Sequence, residues 1–182
     1  MINPLAHLRS RRNAKRAERL AARSLYFAAL EQARSPELYS RGGVPDSLDG
    51  RFDMVVLHVW LVLRRLRHSP ETMRLQRRLQ ETSVADFDSS LRELGVGDLG
   101  VGRRVRAMAR AQAGRFQAYD AAVSEADNAA IASALARNVW RGAPPDAEKP
   151  QALACYLRRQ HIYLSSQDLA AIARGEVAFE AF

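Results

Sequence analysis

The chain has 182 residues, a formal net charge of +8 and 47% hydrophobic residues. That length suits one domain whose core needs no covalent staples. The single cysteine, Cys155, cannot form an internal disulfide. This excludes a secreted disulfide framework and points to a reducing compartment.

The charge is concentrated at the amino terminus. Residues 1–34 hold eight basic residues against Glu18 and Glu31, a net of +6, whereas the rest of the chain is nearly balanced. The opening residues, Met1 to Arg9, lack the ~7–15-residue apolar stretch of a signal peptide. The most apolar run, Met54 to Leu63, is half the ~20 residues of a spanning helix. It reads as a buried core helix or an interface, and the protein as soluble.

The first predicted helix spans Arg11 to Arg34. Arg12, Arg16, Arg19 and Arg23 recur at i, i+4, i+7 and i+11, on one face. Ala14, Ala17, Ala21, Leu25 and Ala28 fall on another. The basic row is expected to meet phosphates of lipid or of ribosomal RNA; the alternative is a solvated face. Residues 1–34 are therefore expected to form a basic helix standing partly apart from a body over 35–182. Pro36 ends this helix and opens a short helical turn.

After the break at Gly42-Gly43-Val44-Pro45, Asp46 or Ser47 caps a long helix to about Arg67, with Asp49 in its first turn. Phe52, Val55, Val56, Val59 and Leu63 form its core stripe. Ser69-Pro70-Glu71 starts the next helical stretch, which reaches Leu94, with Thr82-Ser83 a candidate interruption. Asp98 is placed to cap a helix running to about Val123. Ser124-Glu125-Ala126-Asp127 resembles a capping box for a helix ending near Trp140. Two closing helices follow Gly142-Ala143-Pro144-Pro145-Asp146: about Glu148–Tyr163 and Gln167–Arg174, the second capped by Ser165 or Ser166. No strand is required. The expected fold is all-α, one irregular domain of seven or eight helices. Cys155, in the run Ala154-Cys155-Tyr156, is expected to be a small buried hydrophobe.

Catalytic signatures are weak. Gly95-x-Gly97-x-x-Gly100 matches a dinucleotide fingerprint as text, but that motif needs a preceding strand, and here a helical segment precedes it. A turn explains the glycines; anion binding at the next helix start, backed by Arg103, Arg104 and Arg106, is a further option. The histidines His7, His58, His68 and His161 lack metal-ligand spacing. His58 reads as a satisfied core or interface histidine. No nucleophile motif is present. Asp46, Asp49 and Asp53 are explained by capping and by pairing with Arg51. The expectation is no enzyme, no metal and no cofactor.

The most distinctive block is Leu48-Asp49-Gly50-Arg51-Phe52-Asp53, set directly against the apolar run to Leu66. A glycine in the first turns of a helix costs up to ~1 kcal/mol, so something tertiary or functional offsets it. With Leu94 to Val105, Leu135 to Trp140 and Leu153 to Leu157, this block resembles the ubiquinol–cytochrome c chaperone family. The resemblance runs from about Leu25 to the end. The chain lacks the long amino-terminal extension of mitochondrial members, so it looks like a bacterial one. The resemblance implies a chaperone that binds newly made cytochrome b and promotes assembly of ubiquinol–cytochrome c reductase. It further implies the ribosome and a small helper protein as partners. The expected location is cytoplasmic, peripheral at the inner face of the bacterial inner membrane, with the basic row on anionic lipid. The expected client surface is Asp49, Arg51, Asp53, His58, Trp60, Asp98, Arg103 and Arg104. Within it, Arg51 is placed to pair with Asp98 or with a client carboxylate, and Trp60 lies beside the core stripe. The rival reading is a helical nucleic-acid-binding module using the basic helix; it lacks a recognition helix with a turn signature.

Overall fold

A helix that is apolar on every face has to be enclosed by other elements. Such a helix is α3, Leu48–Leu66, in which every residue from Asp53 to Leu63 is buried. The expected stripe is thus a helix buried all round, because the turns between Met54 and Leu63 carry no solvent-facing polar position. The computed structural model describes residues 4–93, 95 and 97–182. Around α3 stand α1 (Pro4–Ala33), α4 (Met73–Glu93), α5 (Asp98–Ser124), α6 (Ala129–Val139), α7 (Glu148–Ser166) and the short α8 (Leu169–Ala173). Each of the six packs on it. A short α2, Pro36–Ser40, follows α1, and a 3-10 turn, Pro70–Thr72, leads into α4. Among the described residues there are eight α-helices and no strand. None of these helices is long and apolar enough to cross a membrane.

The first helix changes character along its length. Residues 11–17, 19 and 20 are exposed, whereas Ala21, Ala22, Leu25, Tyr26, Ala29 and Ala33 enter the core. Burial therefore begins at Ala21, not at Arg34, and the helix stands apart only before that point. Ala14 and Ala17, expected on the apolar face, are exposed because α1 extends past its neighbours there. Small residues let α1 approach closely. A Cβ on Gly175, where φ is +100°, would lie 3.0 Å from the Ala21 Cα.

Several helix ends differ from expectation. Ser47, not Asp46, caps α3: its hydroxyl accepts from the Gly50 amide at 3.2 Å. Helix α4 is unbroken at Thr82-Ser83, because both hydroxyls are satisfied within the bundle. Thr82 donates to the Arg78 carbonyl, and buried Ser83 accepts from Gln112 at 2.9 Å. The expected end at Leu94 lies outside the described residues. Gly97 precedes α5 in extended conformation and Asp98 is the first helical residue, pairing with Arg92 rather than capping. The expected capping box is absent: Ser124 donates back to Asp120, and Asp127 accepts from the Ala129 amide. Asp168, not a serine, caps α8 by accepting from the amides of Ala170 and Ala171. Cys155 is exposed, not buried. Its neighbours Leu153, Ala154, Tyr156 and Leu157 turn inward, which leaves position 155 outward on α7.

Residues 176–182 lie extended along α7 and α1, with Val177, Phe179 and Phe182 against the core. Two glutamines hold them, Gln160 within α7 and Gln167 just past its end. Gln160 donates to the Glu180 carbonyl at 2.7 Å and accepts from its amide at 3.2 Å. Gln167 does the same at Ala178, at 2.8 and 3.0 Å.

Gly50 explains its own place in a helix. A Cβ there would lie 2.0 Å from the Pro45 carbonyl oxygen. The loop before α3 thus folds onto the helix where only glycine fits. Gly50→Ala should cost about 2 kcal/mol through overpacking, despite alanine's better helix propensity. Urea unfolding measures this; an unchanged midpoint would show that the loop moves away freely.

Candidate functional site

Three of the eight residues expected on the client surface lie inside the fold. The Asp53 side chain is fully buried, with Arg115 Nε at 2.6 Å and Arg141 Nη1 at 2.8 Å. Burial pushes its pKa up, and the two guanidinium groups oppose that. This carboxylate ties α3 to α5 and to the turn after α6. Arg141 sits at φ 55°, a left-handed backbone rare outside glycine, and its guanidinium reaches both Asp53 and Asp49.

His58 is buried, its Nδ1 2.8 Å from the Met54 carbonyl and its Nε2 2.8 Å from the Tyr156 hydroxyl. A carbonyl only accepts, so Nδ1 carries the proton and Nε2 accepts from Tyr156. Tyr156 in turn accepts from Gln32 at 2.8 Å. Every member of this chain is satisfied. Burial lowers the His58 pKa to about 4, so the ring is neutral near pH 7. Trp60 is buried against Tyr119 and donates to Asp120 at 2.9 Å. Asp120 also accepts from Arg64 and Arg67. Burial alone would raise its pKa, but these donors outweigh burial and lower it.

The other five are exposed but not gathered. Arg51 pairs with Asp46 at 2.7 Å, not with Asp98, and this bond lowers the Asp46 pKa. Asp49 meets Arg141 at 3.4 Å. Asp98, Arg103 and Arg104 stand at the start of α5, where Gly95 takes the left-handed turn at φ 78°. Arg12, Arg16, Arg19 and Arg23 are all exposed along α1.

What the fold does assemble is a groove of about 970 Å³. Its apolar wall is Leu30 of α1, Leu48, Phe52 and Val55 of α3, Phe87 of α4 and Met108 of α5. Phe52 meets Phe87 in a tilted contact, 5.1 Å between ring centroids and 60° between planes, and the Arg115 guanidinium lies over the Phe52 ring at 5.1 Å. Polar groups also line the groove: Arg34, Asp46 and Arg51, with Asp86 and Glu93 from α4. Tyr26, also in the lining, donates to Asp86 at 2.7 Å. Leu48 is 57% exposed, a large apolar side chain open to solvent at the groove's edge. Of the expected client residues only Arg51 lines this groove. The rest of its lining escaped sequence reading because five helices contribute to it. One signal was present: Leu48 is a leucine in an otherwise polar first turn. Among the described residues no cluster of His, Cys, Asp or Glu could hold a metal ion.

Residues 40–179 match the family model described as ubiquinol-cytochrome C chaperone. The chain is 24% identical over 151 residues to the Xenopus laevis ubiquinol-cytochrome-c reductase complex assembly factor 1. That alignment covers 82% of this chain and 75% of the frog protein. The Mus musculus protein of the same description is also 24% identical, over 82% of this chain and 51% of its own length. The crystal structure of the Cbp3 homolog from Brucella abortus superposes with a TM-score of 0.84 at 31% identity, covering 96% of both chains.

Two predictions separate fold from surface. Asp53→Ala leaves Arg115 without its buried partner and should cost about 3 kcal/mol, whereas Arg51→Ala should stay within about 0.5 kcal/mol. Equal losses in urea unfolding would contradict this division. The second concerns pH. The unfolded chain protonates His58 near 6.5 and the folded protein only near 4. Unfolding therefore takes up a proton between those values, and stability should fall by up to about 3 kcal/mol as pH drops across that window. His58→Gln should lose this share of the slope; a variant with the full slope would exclude His58 as its source.

Proposed function

We propose that this chain, which belongs to the ubiquinol-cytochrome C chaperone family, binds newly made cytochrome b and promotes assembly of ubiquinol–cytochrome c reductase. The observation that carries the reading is a partly apolar groove, open to solvent, on a body matched to that family over residues 40–179. A client with spanning helices exposes apolar surface before insertion, and a groove between helices shields it. Phe52, Val55, Phe87 and Leu30 supply the shielding surface, and Leu48 extends it outward. The lining charges Arg34, Arg51, Asp86 and Glu93 pair with polar residues flanking an apolar segment. Asp49, Asp98, Arg103 and Arg104 remain as an outer polar surface. The ribosome and a small helper protein are partners on the same reading, and the work is done at the cytoplasmic face of the membrane.

Two measurements test it. Deleting the gene should lower assembled reductase, read from its haem b spectrum; normal levels in the deletion strain would refute the client assignment. In the native host, Leu48→Asp should reduce crosslinking to cytochrome b about fivefold or more with a melting temperature within about 2 °C of the parent, since the change sits on the surface. Unchanged crosslinking in that variant would move the client away from this groove.

A further inference from the structure

The basic face of α1 leads into the groove. Helical spacing sets Arg12, Arg16, Arg19 and Arg23 on the same side as Leu30 and Arg34, which lie seven and eleven residues beyond Arg23. Leu30 and Arg34 line the groove wall. Two large apolar side chains share that side, one heptad apart: Leu20, 58% exposed, and Phe27, 48% exposed. The Arg23 guanidinium lies over the Phe27 ring at 5.3 Å. Among the described ion pairs, none involves Arg12, Arg16, Arg19 or Arg23. Among the described residues the face is therefore cationic, without an ion-pair partner, and interrupted by the half-exposed Leu20 and Phe27.

We propose that this face of α1 docks on an anionic phospholipid surface, with Leu20 and Phe27 entering the headgroup layer and the arginines meeting lipid phosphates, so that the groove opens beside the bilayer. Charge complementarity selects an anionic partner, and Leu20 selects lipid over RNA: a leucine gains from an apolar phase and finds none along a phosphate backbone. Interleaved basic and apolar positions are the pattern of a helix lying in the membrane interface. Each arginine near such a surface is worth up to about 1 kcal/mol, so the four together account for a large change in partition. The orientation ties the docking face to the groove proposed above, while docking itself stands independently of what the groove holds.

Co-sedimentation of the full chain with vesicles tests docking without any client. Phosphatidylcholine vesicles containing about 30 mol% phosphatidylglycerol should bind the chain at least tenfold more tightly than pure phosphatidylcholine vesicles. Changing Arg12, Arg16, Arg19 and Arg23 to Gln should remove that preference. Leu20→Ser with Phe27→Ser keeps every charge and should still weaken binding about fivefold or more. Both variants alter exposed residues, so their melting curves should overlay the parent's. Three results would overturn the proposal: equal binding to both vesicle types, full binding by the Leu20→Ser, Phe27→Ser variant, or structured RNA displacing the chain from anionic vesicles at equal phosphate. The last result would assign the face to nucleic acid. None of these outcomes bears on the crosslinking to cytochrome b, so the two proposals fail separately.

Discussion

Helix α3 has no polar side for water, and this constraint organises the fold. From Asp53 to Leu63 its surface is removed from solvent, so six helices must surround it. Two polar side chains are carried in with it, Asp53 and His58. A buried carboxylate without partners is strongly unfavourable, so Arg115 and Arg141 have to arrive as the helices close. The buried imidazole imposes the same demand on Met54 and Tyr156. Enclosure supplies the stability, and these two polar groups specify which neighbours enclose α3 and in what register.

Three of the segments that resemble the family, or residues next to them, meet here. Trp140 donates to the Gly43 carbonyl at 2.8 Å, Arg141 reaches Asp53, and Tyr156 reaches His58. The block around Asp49-Gly50-Arg51-Phe52-Asp53 is thus mainly a structural device: Gly50 admits the Pro45 carbonyl, and Asp53 anchors two helices. Recognition by sequence picked out the residues that hold the scaffold. Of the groove lining only Leu48, Arg51 and Phe52 belong to that block; Leu30, Phe87 and Met108 lie outside the segments that carry the resemblance by motif.

This explains what was legible in the sequence. The all-α class and the central helix followed from apolar spacing, because periodicity is a property of one element. Caps were read less well, since Ser47 and Asp46, or Asp168 and Ser166, compete locally and loop geometry decides. Site residues were the least legible. Asp53 is expected on the client surface and Trp60 beside the core stripe; the partners that bury them, Arg115, Arg141 and Asp120, lie some 60 to 90 residues away, beyond local reading. Leu48, the apolar head of the distinctive block, stands in the open.

The clasp at residues 176–182 has its own implication. Gln160 and Gln167 grip the main chain at Glu180 and Ala178, each supplying one donor and one acceptor as a neighbouring peptide would. Such a grip is blind to the side chains it holds. Evolution is therefore free to rewrite position 178, whereas Glu180 also pairs through its own carboxylate with Arg159 at 3.1 Å, and Phe179 and Phe182 must still fill their places against His58 and Tyr156. The two glutamines enjoy no such freedom, for a carboxylate of the same shape would lose its donor and repel the carbonyl it faces.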